Sequence, residues 1–412
     1  MRNTVRWICC QHGTHGHYAP SRALLKGGFD VRLITDAWVT PKSIWARLPG
    51  AKGRRLRERY HEEIPSAHVT AFTLSATTRE LFNRLLGISG WTEISARNDW
   101  FQRRASSVLK SLANRDGPKS GPTMVFSYSY TAHEVFRVAR DLGWKTVMSQ
   151  TDPGPLEEKI VAKEATRYPH LSGDWVPAPA KYWEQWRSEC AFADAVIVNS
   201  DWSKEALIAE KVDESKLQVI PLAYDPPPAA KQHKRTFPTQ FSRERPLRCL
   251  FLGQVNLRKG IAHLFEACDL LQGAPIEVTI VGDIQIVVPT RYREHSVIRW
   301  QGPVTRGAVT EYYKRADVFL LPTLSDGFAI TQLEARAWSL PIIVSKHCGR
   351  VVIDGENGIL LPSVTGAGIA NAISSILQKP SILVSMGNYN ARQGYSLTEL
   401  SHSLSRLTDY LT

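Results

Sequence analysis

The sequence predicts an α/β protein made of two Rossmann-like domains with parallel sheets, and three observations carry that expectation. At 412 residues the chain is longer than one hydrophobic core usually organises, which suggests two domains of roughly 150 to 200 residues each. The pattern that opens the chain, an apolar run followed by a glycine-containing turn and a helical stretch, returns halfway along it. Between the two copies lies Pro221 to Pro246, rich in proline and charge and without hydrophobic periodicity, as expected of a linker. We place the first domain at residues 1–225, the linker at 226–246, the second domain at 247–395 and a final helix at 396–412.

Taken in order, Val5 to Cys10 is an apolar run of strand length, QHGTHGH is a turn, and Tyr18 to Leu25 begins a helix that stops at Gly27 and Gly28 before a strand at Val31 to Thr35. A strand-like Lys145 to Met148 leads into SQTDPGPLEEK, where Asp152 either starts the PGP turn or faces an acceptor. Tyr128, Tyr130 and His133 are weaker acceptor candidates that also suit packing. In VIVNSDWSKEALIAEKVDESKLQVIPLAYD, Val196 to Asp225, Ser200 or Ser203 caps the helix that follows. The second copy has Leu247 to Leu252 as strand, GQVNLRKG as turn and Ile261 to Leu271 as helix. Val318 to Pro322 and Pro341 to Val344 are apolar runs about twenty residues apart, the length of a right-handed crossover between parallel strands. Leu397 to Leu411 has helical spacing of its apolar residues.

Composition narrows the class. Hydrophobic residues make up 43% and charged residues 22%, ordinary for a globular protein. No apolar run approaches the ~18 residues that cross a bilayer, and MRNTVRWICCQHG lacks the apolar core of a signal peptide, so a cytoplasmic protein is expected. The six cysteines, Cys9, Cys10, Cys190, Cys249, Cys268 and Cys348, show no CxxC spacing and read as reduced and buried. The net charge of +12 favours an anionic partner or substrate. Arg47, Lys52, Arg54, Arg55, Arg57 and Arg59 cluster against the single acid Glu58. That segment reads either as a peripheral contact with anionic lipid at the inner membrane face, worth roughly 1 kcal/mol per basic residue, or as a solvated surface. No nucleic-acid-binding motif accompanies the charge, so nucleic acid is not an expected partner.

The chemistry concentrates in Leu321 to Pro362, LPTLSDGFAITQLEARAWSLPIIVSKHCGRVVIDGENGILLP. A strand, a polar turn and a helix near Ala329 put Asp326, Gly327 and Phe328 beyond a strand's carboxyl end, where ligands of parallel sheets bind. Glu334 follows eight residues after Asp326 and can face the same crevice. The N–H groups of Ala329, Ile330 and Thr331 suit a phosphate at the positive end of the helix. Arg258 and Lys259, just before Gly260, are a second anion-binding pair or, alternatively, a solvated basic cap. Three histidines in the first turn, His12, His15 and His17, invite a zinc reading, but Gly13 and Gly16 fit a tight turn that opens a helix. Trp38, Trp45, Trp91 and Trp100 either stack a glycan or pack the core.

The acid, seven residues and Glu334, set within DGF and followed by a proline-led strand and DGENG, resemble the signature of the retaining glycosyltransferases of family 4, which have the GT-B fold. FLGQVNLRKG, IVGD, VIRWQGPV and the Val196 to Asp225 stretch resemble the same family, so the likeness covers nearly all of the second domain and part of the first. The resemblance implies two sheets facing across a cleft, a final helix returning to the first domain, and a nucleotide diphosphate sugar as donor, UDP-sugar before GDP-sugar. It implies that Lys259 assists the leaving group, that Glu334 holds the ribose, and that Asp326 with the backbone after it faces the sugar. Gly253, Gln254, Gly282, Gly302, Pro303 and Val304 would border the nucleotide, and Gly13, Thr14, His15 and Gly16 the sugar and acceptor. No cofactor or metal is implied, and the acceptor would be a hydroxyl on a glycan or lipid-linked glycan. Three departures matter: Asp326 stands where the family usually has Glu, Gln254 where it often has Arg, and Asp152 where many members have His. Arg258 is expected to supply the charge missing at Gln254. The competing expectations are a GT-B sugar phosphorylase and a non-catalytic protein that binds a sugar nucleotide or an anionic surface.

Overall fold

The computed structural model describes residues 5–117, 121–390 and 394–412. Its first sheet contains β1 (Arg6–Gln11), β2 (Asp30–Thr35), β3 (Val69–Ala71), β4 (Thr123–Tyr128), β5 (Lys145–Ser149), β6 (Ala195–Val198) and β7 (Leu217–Val219). Its second contains β8 (Leu247–Leu252), β9 (Ile276–Val281), β10 (Ile298–Gly302), β11 (Val318–Leu321), β12 (Ile342–Ser345) and β13 (Gly358–Leu361). The orders are β3-β2-β1-β4-β5-β6-β7 and β10-β9-β8-β11-β12-β13, and every pairing is parallel. Both sheets therefore reverse winding direction beside their first strand, between β1 and β4 and between β8 and β11, and the crevice opens at the carboxyl ends there.

The helices cover the sheets on both faces. They are α1 (Ala19–Lys26), α2 (Gly50–Arg57), α3 (Thr73–Leu85), α4 (Gly90–Asp116), α5 (His133–Asp141), α6 (Pro155–Arg167), α7 (Ala180–Phe192) and α8 (Asp201–Ala209) in the first half. After these come α9 (Pro228–Gln232), α10 (Ile261–Leu270), α11 (Thr290–Arg293), α12 (Arg306–Arg315), α13 (Thr331–Ala337), α14 (Gly366–Gln378), α15 (Ile382–Asn390) and α16 (Leu397–Leu411). Because both faces are covered, central strands are continuous apolar runs and not alternating ones: every residue of β4, β6, β11 and β12 is buried. Ser200 settles the capping question, since its Oγ accepts from Ser203 N–H at 3.1 Å ahead of α8.

Segments far apart in the chain close the first domain. The Glu189 carboxyl group on α7 accepts the N–H groups of Tyr130, Ala132 and His133 at 2.7, 3.0 and 3.1 Å, capping the start of α5. Ser396 and Glu399 form a capping box at the start of α16, whose Leu397, Leu400, Leu404 and Leu407 join Ala23 and Leu24 of α1 in the first-domain core. The proline-rich connection is not a free tether. Phe241 enters the second-domain core, and Arg235 donates to the carbonyls of Trp338 and Tyr313 at 3.1 and 2.6 Å and to that of Ala316. Its guanidinium fork satisfies carbonyls left open where α12 and α13 end.

Leu404 is 1% exposed, so Leu404→Ala should lower stability by about 2–5 kcal/mol. Urea unfolding followed by tryptophan fluorescence reads the loss, and an unchanged midpoint would mean that α16 contributes little to the first domain.

Candidate active site

Three glycines end the strands on one side of the second-domain crevice. Gly253 after β8, Gly282 after β9 and Gly302 at the end of β10 have φ values of 151°, 144° and 65°. They are tied to one another, with Gly282 N–H on Gly302 O at 2.9 Å and Gly253 N–H on Val281 O at 3.0 Å. A Cβ on Gly282 would fall 1.7 Å from Gly253 O. The result is a shelf of bare backbone, the surface against which a flat ring and its sugar can lie. Pro303 is exposed and Val304 half-buried at its rim.

The next turn brings the charges. Asn256 caps a short 3-10 turn, Leu257–Lys259, by accepting Lys259 N–H at 3.1 Å. Gly260 then takes φ 75° with its α-hydrogen side against Pro322 O, where a Cβ would sit at 1.9 Å. This close approach aims Lys259 Nζ and Arg258 at Asp326. Lys259 Nζ donates to Asp326 Oδ2, and Arg258 Nη1 donates to the same oxygen at 3.3 Å and to Ser325 O at 3.2 Å. Arg258 Nη2 lies 3.4 Å from Gln254 Oε1, so its charge stands next to Gln254. Burial works to raise the Asp326 carboxyl, but Lys259 and Arg258 outweigh it and hold the group down at about 2. Its Oδ1 accepts Phe328 N–H at 3.1 Å.

Past Asp326, Ala329 adopts a left-handed φ of 63°, a strained conformation for a residue with a side chain. The helix begins at Thr331, with Ile330 as its cap residue. Among the described residues no protein acceptor takes the N–H groups of Ala329, Ile330 or Thr331, and Thr331 Oγ1 is buried without a partner. Glu334 Oε2 accepts the hydroxyl of buried Tyr313 at 2.7 Å, which fixes the carboxylate while leaving Oε1 for another donor.

Gly327 is where the domains touch. Its carbonyl accepts Ser200 Oγ at 2.7 Å and Ser203 Oγ at 3.2 Å, and a Cβ here would lie 2.3 Å from Thr151 O. Trp202 Nε1 donates to Ser325 Oγ at 3.2 Å, and its ring lies 4.6 Å from that of His347. Helix α6 adds further contacts to the junction. Glu157 Oε1 approaches Arg258 Nε at 3.6 Å; farther along, Glu164 meets His263 at 3.1 Å, and the Tyr168 hydroxyl donates to Glu266 at 2.6 Å. Glu157 was not singled out in the sequence. Burial, with the charges of Asp152 and Asp326 adding to it against Arg258, pushes its carboxyl up to about 8.

On the first-domain side, Asp152 does two things at once. It accepts Gly154 N–H at 2.8 Å, which makes the PGP turn, and the Tyr130 hydroxyl at 2.5 Å. Gly13 (φ 81°) and Gly16 (φ 54°) bend the first loop into α1, with Thr14 O accepting His17 N–H at 2.9 Å and the His15 ring 4.9 Å from that of Tyr128. Asp36 pins Gly13 N–H at 2.8 Å and is itself neutralised by Arg59 at 2.9 Å. Arg59 thus belongs to this loop and not to a free basic surface. Burial lowers His12 to about 4, so its ring is neutral at pH 7. Among the described residues, no group of three or more His, Cys, Asp or Glu is arranged to hold a metal ion.

Residues 246–379 match the family profile Glycosyl transferases group 1. The second domain is a group 1 glycosyl transferase domain. The chain is 30% identical over 148 residues to the amylovoran biosynthesis glycosyltransferase AmsK of Erwinia amylovora, covering 32% of this chain and 35% of that protein. It is 28% identical over 151 residues to a D-inositol 3-phosphate glycosyltransferase of Pseudarthrobacter chlorophenolicus, covering 34% and 36%. The matched region thus spans about a third of the length of these curated relatives. Whole-chain likeness appears in three dimensions. Sucrose-phosphate synthase from Thermosynechococcus elongatus superimposes with a TM-score of 0.64 at 16% identity, over 99% of both chains. Anabaena HepE in complex with UDP gives 0.60 at 13% identity, over 98% of this chain and 99% of that one. At such identities the likeness speaks for the fold, and the fold of the group 1 domain together with its partner domain is GT-B.

Two expectations follow from the geometry. Gly327→Val places side-chain atoms where Thr151 O lies, so the domains should separate and the radius of gyration from small-angle scattering should rise; an unchanged value would show that the contact yields locally. Asp326 titrates in the folded protein below its ordinary 3.8, so its contribution to stability is full above that value and is lost as pH falls toward about 2. Thermal unfolding of the wild type should therefore drop more steeply between about pH 4 and 2 than that of Asp326→Asn, and equal slopes would remove the buried pair from the account.

Proposed function

We propose that the protein is a retaining, metal-independent hexosyltransferase that uses a nucleotide diphosphate sugar, UDP-sugar before GDP-sugar, and a hydroxyl acceptor on a glycan or lipid-linked glycan. The observation that carries the reading is the pair of cations set beside open backbone N–H groups where the two domains meet. Lys259 and Arg258 both face one Asp326 oxygen, and among the described residues no protein acceptor takes the N–H groups of Ala329, Ile330 or Thr331. A diphosphate is the ligand that answers cations and open N–H groups together. The glycine shelf supports a base and ribose beside that charge, with Glu334 in reach of the ribose hydroxyls and Gly302 to Val304 at the base.

In the mechanism proposed, the acceptor hydroxyl attacks the anomeric carbon from the face the diphosphate leaves. The carbon–oxygen bond to phosphate breaks, the new glycosidic bond forms on the same side, and the hydroxyl proton passes to the departing phosphate oxygen. Lys259, Arg258 and the open N–H groups of Ala329 to Thr331 stabilise the charge that builds on the leaving group. Asp326 and the backbone of Gly327 and Phe328 face the sugar. UDP complexes are described for the Anabaena neighbour, which supports uridine as the first base to test.

Contact with an anionic membrane surface is part of the proposal. Arg47, Arg54 and Arg55 are exposed, whereas Arg57 is bound to Ala46 O and Leu48 O at 3.0 and 3.1 Å. The same domain exposes Leu81, Phe82 and Leu85 along α3 at 53%, 65% and 74%, and among the described residues no helix is long and apolar enough to cross a membrane.

The test is a thermal-shift and hydrolysis screen against UDP-, GDP- and ADP-sugars with EDTA present. One donor should raise the melting temperature and be hydrolysed slowly, and Lys259→Ala should cut turnover by about 100- to 1000-fold without lowering the melting temperature of the protein alone. Full turnover in that variant, or no shift with any nucleotide, would sink the assignment.

A further inference from the structure

Arg258, which bonds Asp326, also lines a second space: a cavity of about 670 Å³ between the domains, walled by α4, α6 and α7 on one side and by the turns at 256–258 and 284–287 on the other. Its first-domain wall is aromatic. Tyr130 stacks on Tyr182 at 4.8 Å, and Tyr182 meets Trp91 and Trp183 edge-on at 4.9 and 5.2 Å. Trp175, 37% exposed, lies at the mouth. Hydrogen bonds hold these rings in place: Asp152 takes the Tyr130 hydroxyl at 2.5 Å, Glu158 takes Trp183 Nε1 at 2.9 Å, and Trp91 Nε1 donates to Val176 O at 3.2 Å.

The charge lining is one-sided. Among the described residues, Asp152, Glu158 and Asp174 line the cavity with carboxylates against the single cation Arg258, and the Glu157 carboxyl lies beside them. Fixed aromatic faces beside carboxylate acceptors match a sugar ring, which offers an apolar C–H face and a rim of hydroxyl donors. An aliphatic chain would strip water from these carboxylates without offering them a donor, and a phosphate or uronic acid would meet like charge. The volume suits a short oligosaccharide better than a lone small molecule.

We infer that this cavity is the acceptor subsite and that it takes a short carbohydrate chain carrying no anionic group, its rings on Tyr130, Tyr182 and Trp175 and its hydroxyls on the carboxylates. The inference rests on the glycosyl-transfer reading for its purpose, but binding to the cavity needs no donor.

The test titrates the full chain with maltotriose, cellotriose and trigalacturonate, following tryptophan fluorescence and saturation-transfer NMR, alongside a separate thermal shift with UDP. At least one neutral trisaccharide should bind saturably and trigalacturonate should not. Trp175→Ala should weaken the neutral ligand about fivefold, and Asp174→Lys, a change at an exposed position, should admit trigalacturonate. The inference is overturned if trigalacturonate binds as well as the neutral sugars, if binding ignores both Trp175→Ala and Tyr182→Ala, or if no trisaccharide binds. A UDP shift without trisaccharide binding removes this subsite alone; trisaccharide binding without any nucleotide shift removes the donor reading and leaves the cavity a carbohydrate site.

Discussion

A buried carboxylate that cannot stand alone organises the cleft. Asp326 is 9% exposed, and an ionised carboxylate at such a place is tolerated only with strong partners. Lys259 and Arg258 supply them, and to do so the turn after β8 must press against the strand end at Pro322. That approach requires glycine at 260. The pair therefore fixes the loop, the loop fixes two cations, and the same carboxylate positions Phe328 N–H at the start of the next segment. Because both cations share one carboxylate oxygen, removing one leaves Asp326 paired with the other.

Much of the junction between the domains is polar, and part of it runs along one helix. At its start α6 offers Glu157 to Arg258, and at its end it offers Glu164 and Tyr168 to His263 and Glu266. Leu171, just beyond, is buried in the second-domain core although it precedes that domain by many residues. Interfaces built from hydrogen bonds and few apolar contacts can open and close at modest cost, whereas the Leu171 insertion gives this one a fixed point. The cleft is thus held beyond both ends of α6, by Leu171 after its last turn and by the Gly327–Thr151 contact ahead of its first.

What was legible in the sequence was local. The strands of a doubly wound sheet are apolar runs bounded by turns, and the α/β fold could be read from them. Gly253 and Gly302 sit at strand ends and Gly13 and Gly16 in the loop after β1, all with positive φ, and Lys259, Asp326 and Glu334 stand at fixed offsets from strand ends. What was not legible depended on chain segments meeting across long separations. Glu189 is an ordinary helical glutamate until Tyr130 and its neighbours turn their N–H groups toward it. Glu157 lies in a quoted loop, yet nothing in that loop says that Arg258 and Asp326 will face it. Arg235, in a stretch without periodicity, proved to hold two helix ends. Asp152 had two readings, the start of a turn and a residue facing an acceptor; the turn is present, its carboxylate accepting Gly154 N–H at 2.8 Å, and a further lone pair takes the Tyr130 hydroxyl.

The chain passes between the domains twice, through the proline-rich connection and again just before α16, and the two crossings meet where Tyr224 N–H bonds Tyr395 O at 2.8 Å. During synthesis this gives an order of events. The second domain has all its strands once residue 361 has emerged, while the first still lacks the four leucines of α16 that close its core. Until residues 397–411 are released from the ribosome, the earlier-made half waits with an apolar face uncovered and the later-made half can already be folded, the reverse of the usual order in which domains mature from the N-terminus.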